Sequence, residues 1–189
     1  MAHSNNSVIT GKFRGSLGKE IVFRDWEGKT VVAKAPKART GEPSDLQAQT
    51  QEKFQLASIY GKAVLGGTDQ GIKDAYKAIL RPRQNLYSRA VEDFMSPPVV
   101  KNIGTNAYSG VVGSTISIRA IDDFRVTGVR VQIFNAGGTL LEQGNAVQQN
   151  NGVDWIYTAT QANSPLTSSK ITAIATDVPG NEGTLQVTL

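Results

Sequence analysis

Few residues in this chain have types and spacing that could do chemistry. The 189 residues contain one histidine, His3, and no cysteine. Disulfides, thiol nucleophiles, Cys-ligated zinc and multi-His metal sites are therefore excluded. A Ser-His-Asp relay would have to use His3, which the sequence places in an N-terminal tail. Gly28-Lys29-Thr30 has the look of the end of a phosphate-binding loop. The position five residues earlier is Phe23 rather than Gly, however, and a strand pattern follows instead of a helix, so a nest of backbone amides is not expected. Asn5-Asn6-Ser7 matches a glycosylation sequon by chance.

Carboxylates offer two further possibilities. Glu20, Asp25 and Glu27 could serve as acid–base pairs, but general acid–base work needs a pocket, and a small sheet offers a solvated face instead. Asp122, Asp123, Asp154, Asp177, Asn181 and Glu182 could converge at one pole of a β-sandwich and hold calcium through oxygen ligands. The competing reading is turn chemistry, in which Asp and Asn bond the local backbone. No D-x-D-x-D loop is present, which favours turns. No catalytic residue, cofactor site or metal site is expected, and the chain reads as a non-enzyme.

Charge is uneven. The net charge is +4, yet residues 1–40 hold eight Lys or Arg against Glu20, Asp25 and Glu27. Residues 97–189 hold five bases and six acids. A basic front suits a charged, soluble edge, contact with phosphate or nucleic acid, or contact with an acidic protein surface. Arg14, Arg24 and Trp26 would serve a subunit contact or stacking on single-stranded nucleic acid. Trp26 could equally be half-buried against a neighbouring helix.

The elements that must position these residues fall into two groups, divided at Met95-Ser96-Pro97-Pro98, where paired prolines stop a helix. Residues 1–96 read as an α+β module and residues 97–189 as all β. The module begins with a meander: a weak strand over Ile9–Phe13, a turn at Gly15–Gly18, a strand over Lys19–Trp26, a two-residue turn at Glu27-Gly28, and a strand over Thr30–Ala35. Ser44-Asp45-Leu46-Gln47 has capping-box spacing and opens a helix to about Leu65, with Leu46, Phe54, Ala57 and Val64 on one face. Gly66-Gly67 ends it, Thr68 caps a second helix that stops near Pro82, and a third covers Gln84–Met95. So small a sheet has little core of its own, and its edges favour strand addition between subunits. The interface candidates are Arg14, Phe23, Arg24, Trp26, Phe54 and Tyr60.

The back half alternates cleanly. Ile116, Ile118 and Ala120 oppose Thr115, Ser117 and Arg119, while Val129, Val131 and Ile133 point inward on the next run. Further strands are expected at Asp154–Thr160, Lys170–Thr176 and Thr184–Leu189, with Trp155 and Tyr157 in the core of a sandwich.

Residues 97–189 resemble a bacterial immunoglobulin-like domain. The resemblance is carried by Pro97-Pro98-Val99-Val100, the run from Ile116 to Asp123, Val129-Arg130-Val131, Trp155 to Thr160, and Ala173 to Asn181, whose end fits A-x-D-x-x-G-N. It implies an immunoglobulin-like sandwich that acts as a spacer or contacts a cell surface or glycan. Residues 5–65 are similar to a family of uncharacterised proteins from Bacteroidota, through Gly11 to Gly18, Trp26-Glu27-Gly28-Lys29, Lys34-Ala35-Pro36 and the Gln-rich run from Gln47 to Phe54. That similarity implies a structural piece of a phage-derived particle.

The functional expectation is a non-enzymatic structural protein. It would assemble as a homo-oligomer or particle subunit through its N-terminal module and display the immunoglobulin-like domain. The alternative is a nucleic-acid-associated protein using the basic residues 12–39. No apolar run suits a signal-peptide core or a membrane span, so synthesis in the cytoplasm, without membrane insertion, and a place in a released particle are expected.

Overall fold

A computed structural model describes residues 2–4, 14–26, 29–37 and 41–189, with only the backbone of residues 2–4 described. The chain forms two compact units, residues 1–44 and 45–189. Three helices and three antiparallel four-stranded sheets make up the described residues.

The first unit is one sheet. Strands β1 (Ala2–Ser4), β2 (Gly15–Leu17), β3 (Ile21–Trp26) and β4 (Lys29–Lys34) lie in the order β1-β4-β3-β2. Ile21, Val22 and Phe23, and then Thr30, Val31 and Val32, are β-branched or aromatic and suit a pleated surface. The expected turn at Gly15–Gly18 is displaced. Gly15, Ser16 and Leu17 pair with Phe23, Val22 and Ile21, and the chain reverses over Gly18–Glu20, where Gly18 has φ 58°. His3 is not in a loose tail: its backbone pairs opposite Val31 on β4. The strand expected at Ile9–Phe13 and the turn at Glu27-Gly28 lie outside the described residues. The Trp26↔Lys29 pairing brackets the latter.

The second unit opens with α1 (Asp45–Gly66), α2 (Gln70–Ala78) and α3 (Leu86–Met95). Asp69, rather than the expected Thr68, caps α2, its Oδ1 accepting from the Ile72 amide at 3.0 Å. Asn85 and Ser88 form a reciprocal capping box on α3. The face of α1 that packs inward is built on small residues, Ala57 and Gly61. A Cβ on Gly61 would stand 2.8 Å from Val91 Cγ2 and 3.0 Å from the Tyr87 ring, so glycine is what lets α1 close on α3.

Eight strands follow: β5 (Val99–Gly104), β6 (Thr115–Ile121), β7 (Val126–Phe134), β8 (Leu140–Asn145), β9 (Val147–Gln148), β10 (Asp154–Thr158), β11 (Lys170–Asp177) and β12 (Glu182–Thr188). They make two sheets, ordered β5-β6-β10-β9 and β12-β11-β7-β8. Between them lies a core to which the alternation assigned Ile116, Ile118 and Ala120 from one sheet and Val129, Val131 and Ile133 from the other; Ile171 and Ala173 join it. Trp155 and Tyr157 are buried in it. The arrangement is β-sandwich-like.

The division expected at 96/97 is not where the compact units part. The helices belong with the sandwich, because side chains of α2 and α3 bond and stack on its loops. Tyr76 stacks on Phe124, Arg89 pairs with Asp123, and the Phe94 carbonyl accepts from Asn181 Nδ2 at 3.1 Å. The proline pair follows the end of α3 without ending a unit.

Candidate functional site

The candidate site is the joint between these helices and the sandwich, where buried charged side chains meet a carboxylate cluster. Its centre is α3. The capping box sets that helix's start, and successive turns then carry Arg89 and Asp93 to one buried face. Both are almost completely inaccessible to solvent. Charged residues are rarely so buried unless they are paired.

Arg89 spans the joint. Its Nη1 lies 2.8 Å from Asp123 Oδ2 and 3.0 Å from Glu92 Oε2, and its Nη2 donates to the Asp123 carbonyl oxygen at 2.9 Å. Burial alone would lower the Arg89 pKa, but the bonds to Asp123 and Glu92 raise it. Glu92 also pairs with Arg81 and accepts from Gln84, and these contacts outweigh burial and hold its pKa down.

Asp93 lies behind Arg89. Its Oδ2 accepts from the Tyr76 hydroxyl at 2.6 Å. Tyr76 has one proton and spends it there, so Tyr60, 2.9 Å away, donates to Tyr76. Burial is the main cause that pushes the Asp93 carboxyl up to about 7; the Tyr76 bond works against it, and the charges of Asp122 and Asp123 add to it. Tyr76 is raised by burial and by donating to an anion. Tyr60 is raised by burial.

The loop between β6 and β7 supplies the sandwich side. Asp122 Oδ2 accepts from the amides of Phe124 and Arg125 at 3.0 and 2.9 Å, a local turn that presents the Phe124 ring to Tyr76 with centroids 4.5 Å apart. A second turn lies nearby: Asp177 Oδ1 accepts from the Gly180 and Asn181 amides, and its Oδ2 accepts from Asn181 Nδ2. Burial raises the Asp177 carboxyl, these bonds opposing it.

The carboxylates considered for calcium therefore separate. Asp177 and Asn181 do turn work. Asp154 forms a two-bond pair with Arg119, at 2.7 and 2.9 Å, whose hydrogen bonds hold the Asp154 pKa down to about 2. Glu182 faces Arg130 at 3.6 Å. Asp122 and Asp123 instead come together with Asp93, one oxygen of each lying within 4.8 Å of the others. Sequence reasoning missed Arg89 and Asp93. Their only signal is that they recur four apart on the same face as Ala90 and Phe94, where polar residues have no solvent role.

The interface candidates divide as well. Trp26 is 66% exposed, Arg24 is exposed, Phe23 is half-buried and Phe54 is 53% exposed. Arg14 pairs with Asp25 across the sheet at 2.7 Å. Tyr60 is half-buried: it lies against Phe94, with ring centroids 5.6 Å apart, and bonds Tyr76. On the outer face of the β5-β6-β10-β9 sheet, a shallow depression of about 350 Å³ is lined by Asn102, Ser117, Arg119, Asn151, Asp154 and Ile156. No described helix is long and apolar enough to cross a membrane.

No family model and no curated protein matches the chain. Among solved structures it is similar to an engineered protein, at 24% identity and TM-score 0.31, covering 48% of this chain and 19% of that one. It is also similar to CopC from Methylosinus trichosporium OB3b, at 17% identity and TM-score 0.35, covering 48% of this chain and 91% of that one.

Proposed function

We propose that the chain is a non-enzymatic structural protein that assembles through its N-terminal sheet and first helix and carries an immunoglobulin-like sandwich. The observation that carries the assembly reading is the exposure of large apolar side chains on the elements before the sandwich. Trp26 and Leu17 are exposed on the N-terminal sheet, and Leu46, Phe54, Ile59 and Leu65 are exposed on α1. A chain that works alone keeps such surface small. Sheet edges also offer unpaired backbone groups to another strand.

The strand orders support the immunoglobulin-like reading. With β5 as the first strand, the first sheet joins strands one, two and the late β10, and the second joins the last two strands to the central hairpin. That is the partition of an immunoglobulin-like sandwich. Since α1 shares a compact unit with the sandwich, a contact made by α1 also fixes the direction in which the sandwich points. The sandwich would then act as a displayed spacer.

The test is the mass of the full-length chain by size exclusion with light scattering, alongside electron microscopy of the same fractions. Oligomers, rings or filaments that disappear with Trp26→Ser and Phe54→Gln support the reading. A monomer at every concentration, with a salt-steep affinity for nucleic acid, would turn it toward a basic nucleic-acid-binding front.

A further inference from the structure

The joint between helices and sandwich gathers three aspartates around one bonded cation, Arg89. Asp93, Asp122 and Asp123 each bring one carboxylate oxygen within 4.8 Å of the others. Asp93 is fully buried, and its Oδ1 has no hydrogen-bond partner; neither does the buried Oδ1 of Asp122. The nearby donors are spent on the other oxygens of the same groups. Tyr76 takes Asp93 Oδ2, the Phe124 and Arg125 amides take Asp122 Oδ2, and Arg89 takes Asp123 Oδ2. Arg89 is thus the one cation bonded to this trio among the described residues. A buried carboxylate oxygen with no donor is costly, and here two such oxygens belong to a single cluster.

We propose that Asp93, Asp122 and Asp123 bind a hard divalent cation, Ca2+, which ties α3 to the loop between β6 and β7. The donor set is oxygen alone, with no nitrogen or sulfur ligand, which selects the hard cations. Ca2+ binds oxygen at about 2.3–2.6 Å, so opposite ligands stand about 4.8 Å apart, and the cluster's span stays within that distance. The Asp123 side chain is 29% exposed, leaving an open side where water completes the six to eight ligands that Ca2+ takes. The ion would engage oxygens that no protein donor reaches, and the bonds from Tyr76 and Arg89 would stay in place. It would bridge the helices and the sandwich, which no turn within either part could do.

The test uses the full-length chain stripped with EDTA. Thermal unfolding and calorimetry are followed on adding CaCl2. TbCl3 is added separately, because Tyr76, bonded to Asp93, can sensitise terbium emission from this site. The expected result is one Ca2+ per chain, terbium emission displaced by Ca2+, and a Tm rise of roughly 5–10 °C at a hundredfold excess over Kd. Asp122→Asn and Asp123→Asn should each weaken the response at least tenfold, and both can fold because an Asn oxygen still accepts the turn and Arg89 bonds. Asp154→Asn, whose carboxylate is committed to Arg119, should leave the response intact. The proposal is overturned by the absence of any heat or Tm shift at about 10 mM CaCl2, about tenfold above the weak end of known calcium sites. It is equally overturned by a response that survives both cluster variants or is lost with Asp154→Asn.

Discussion

Arg89 on α3 reaches Asp123 twice, donating to the carboxylate at 2.8 Å and to the backbone carbonyl at 2.9 Å, across 34 residues of sequence. The bidentate grip uses the planar fork that distinguishes arginine from lysine. It fixes the loop's backbone as well as its charge. The same loop then offers Phe124 to Tyr76, so the ion pair and the aromatic stack close the joint together.

Removing that guanidinium should be costly. Arg89→Ala leaves Asp123 and Asp93 facing each other with no cation between α3 and the loop. Breaking a buried pair from one side typically costs about 3–5 kcal/mol. Arg89→Lys restores charge without the fork and should recover only part of the loss. Urea denaturation of the three proteins checks the order wild type, Lys, Ala. Equal midpoints for Lys and Ala would show that the fork's geometry, and not its charge, holds the joint.

Gly61 gives a second prediction with opposing terms. In a helix, Gly→Ala ordinarily stabilises by about 1 kcal/mol. Here the new methyl meets Val91 Cγ2 at 2.8 Å and the Tyr87 ring at 3.0 Å, and overpacking of this kind costs about 1–3 kcal/mol. Gly61→Ala should therefore destabilise the chain by about 1 kcal/mol net. Gly66→Ala, where a Cβ would meet nothing within 4 Å, should be neutral or stabilising. Gly61→Ala should lower the Tm and Gly66→Ala should not.

The sandwich was legible in the sequence and the joint was not, for a physical reason. Strand alternation of period two survives because one face of each sheet is buried, so Ile116, Ile118, Val129 and Val131 announce their own orientation. Arg89 and Asp93 look like ordinary solvated residues on an amphipathic helix. Only tertiary partners, Asp123 at 34 residues from Arg89 and Tyr76 at 17 from Asp93, make them interior, and period alone cannot show it. The same gap misplaced the boundary: Pro97-Pro98 is a strong local stop, but a unit is defined by the contacts that cross it, and Arg89–Asp123 crosses it. Type and position leave Trp26 either half-buried or an interface residue, and it is exposed; Phe54, expected on one face with Ala57, is exposed while Ala57 is buried, and Tyr60 is half-buried with its hydroxyl bonded to Tyr76.

Asp93 makes stability depend on pH in the absence of divalent ions. Its folded pKa of about 7 lies above the ordinary carboxyl value of 3.8. Between those values the folded state binds a proton that the unfolded state has released. Stability should therefore fall as pH rises from about 4 to about 7 and level off above. Tyr76 on α2, Asp122 and Asp123 from the loop, and Tyr60 on α1 bear on this group. Asp93→Asn keeps an acceptor for Tyr76 and removes the charge, so its melting temperature in EDTA should lose most of that slope. An unchanged slope would place the titration on another group, Asp177 first.

The exposed apolar residues of α1 offer a separate test of assembly that leaves folding alone. Phe54 and Ile59 are 53% and 64% exposed, so replacing them with Gln removes little buried contact, and surface changes of this kind usually lie within about 0.5 kcal/mol. Helix propensity also favours Gln at such positions. Ala57 sits between them on the inward face and is fully buried, so Ala57→Gln would disturb packing against α3 instead. The double variant Phe54→Gln, Ile59→Gln should melt like the wild type yet lower the mass seen by light scattering at a given concentration. A lowered mass with an unchanged Tm assigns the contact to α1. An unchanged mass in this variant, with dissociation in Trp26→Ser, assigns it to the open sheet.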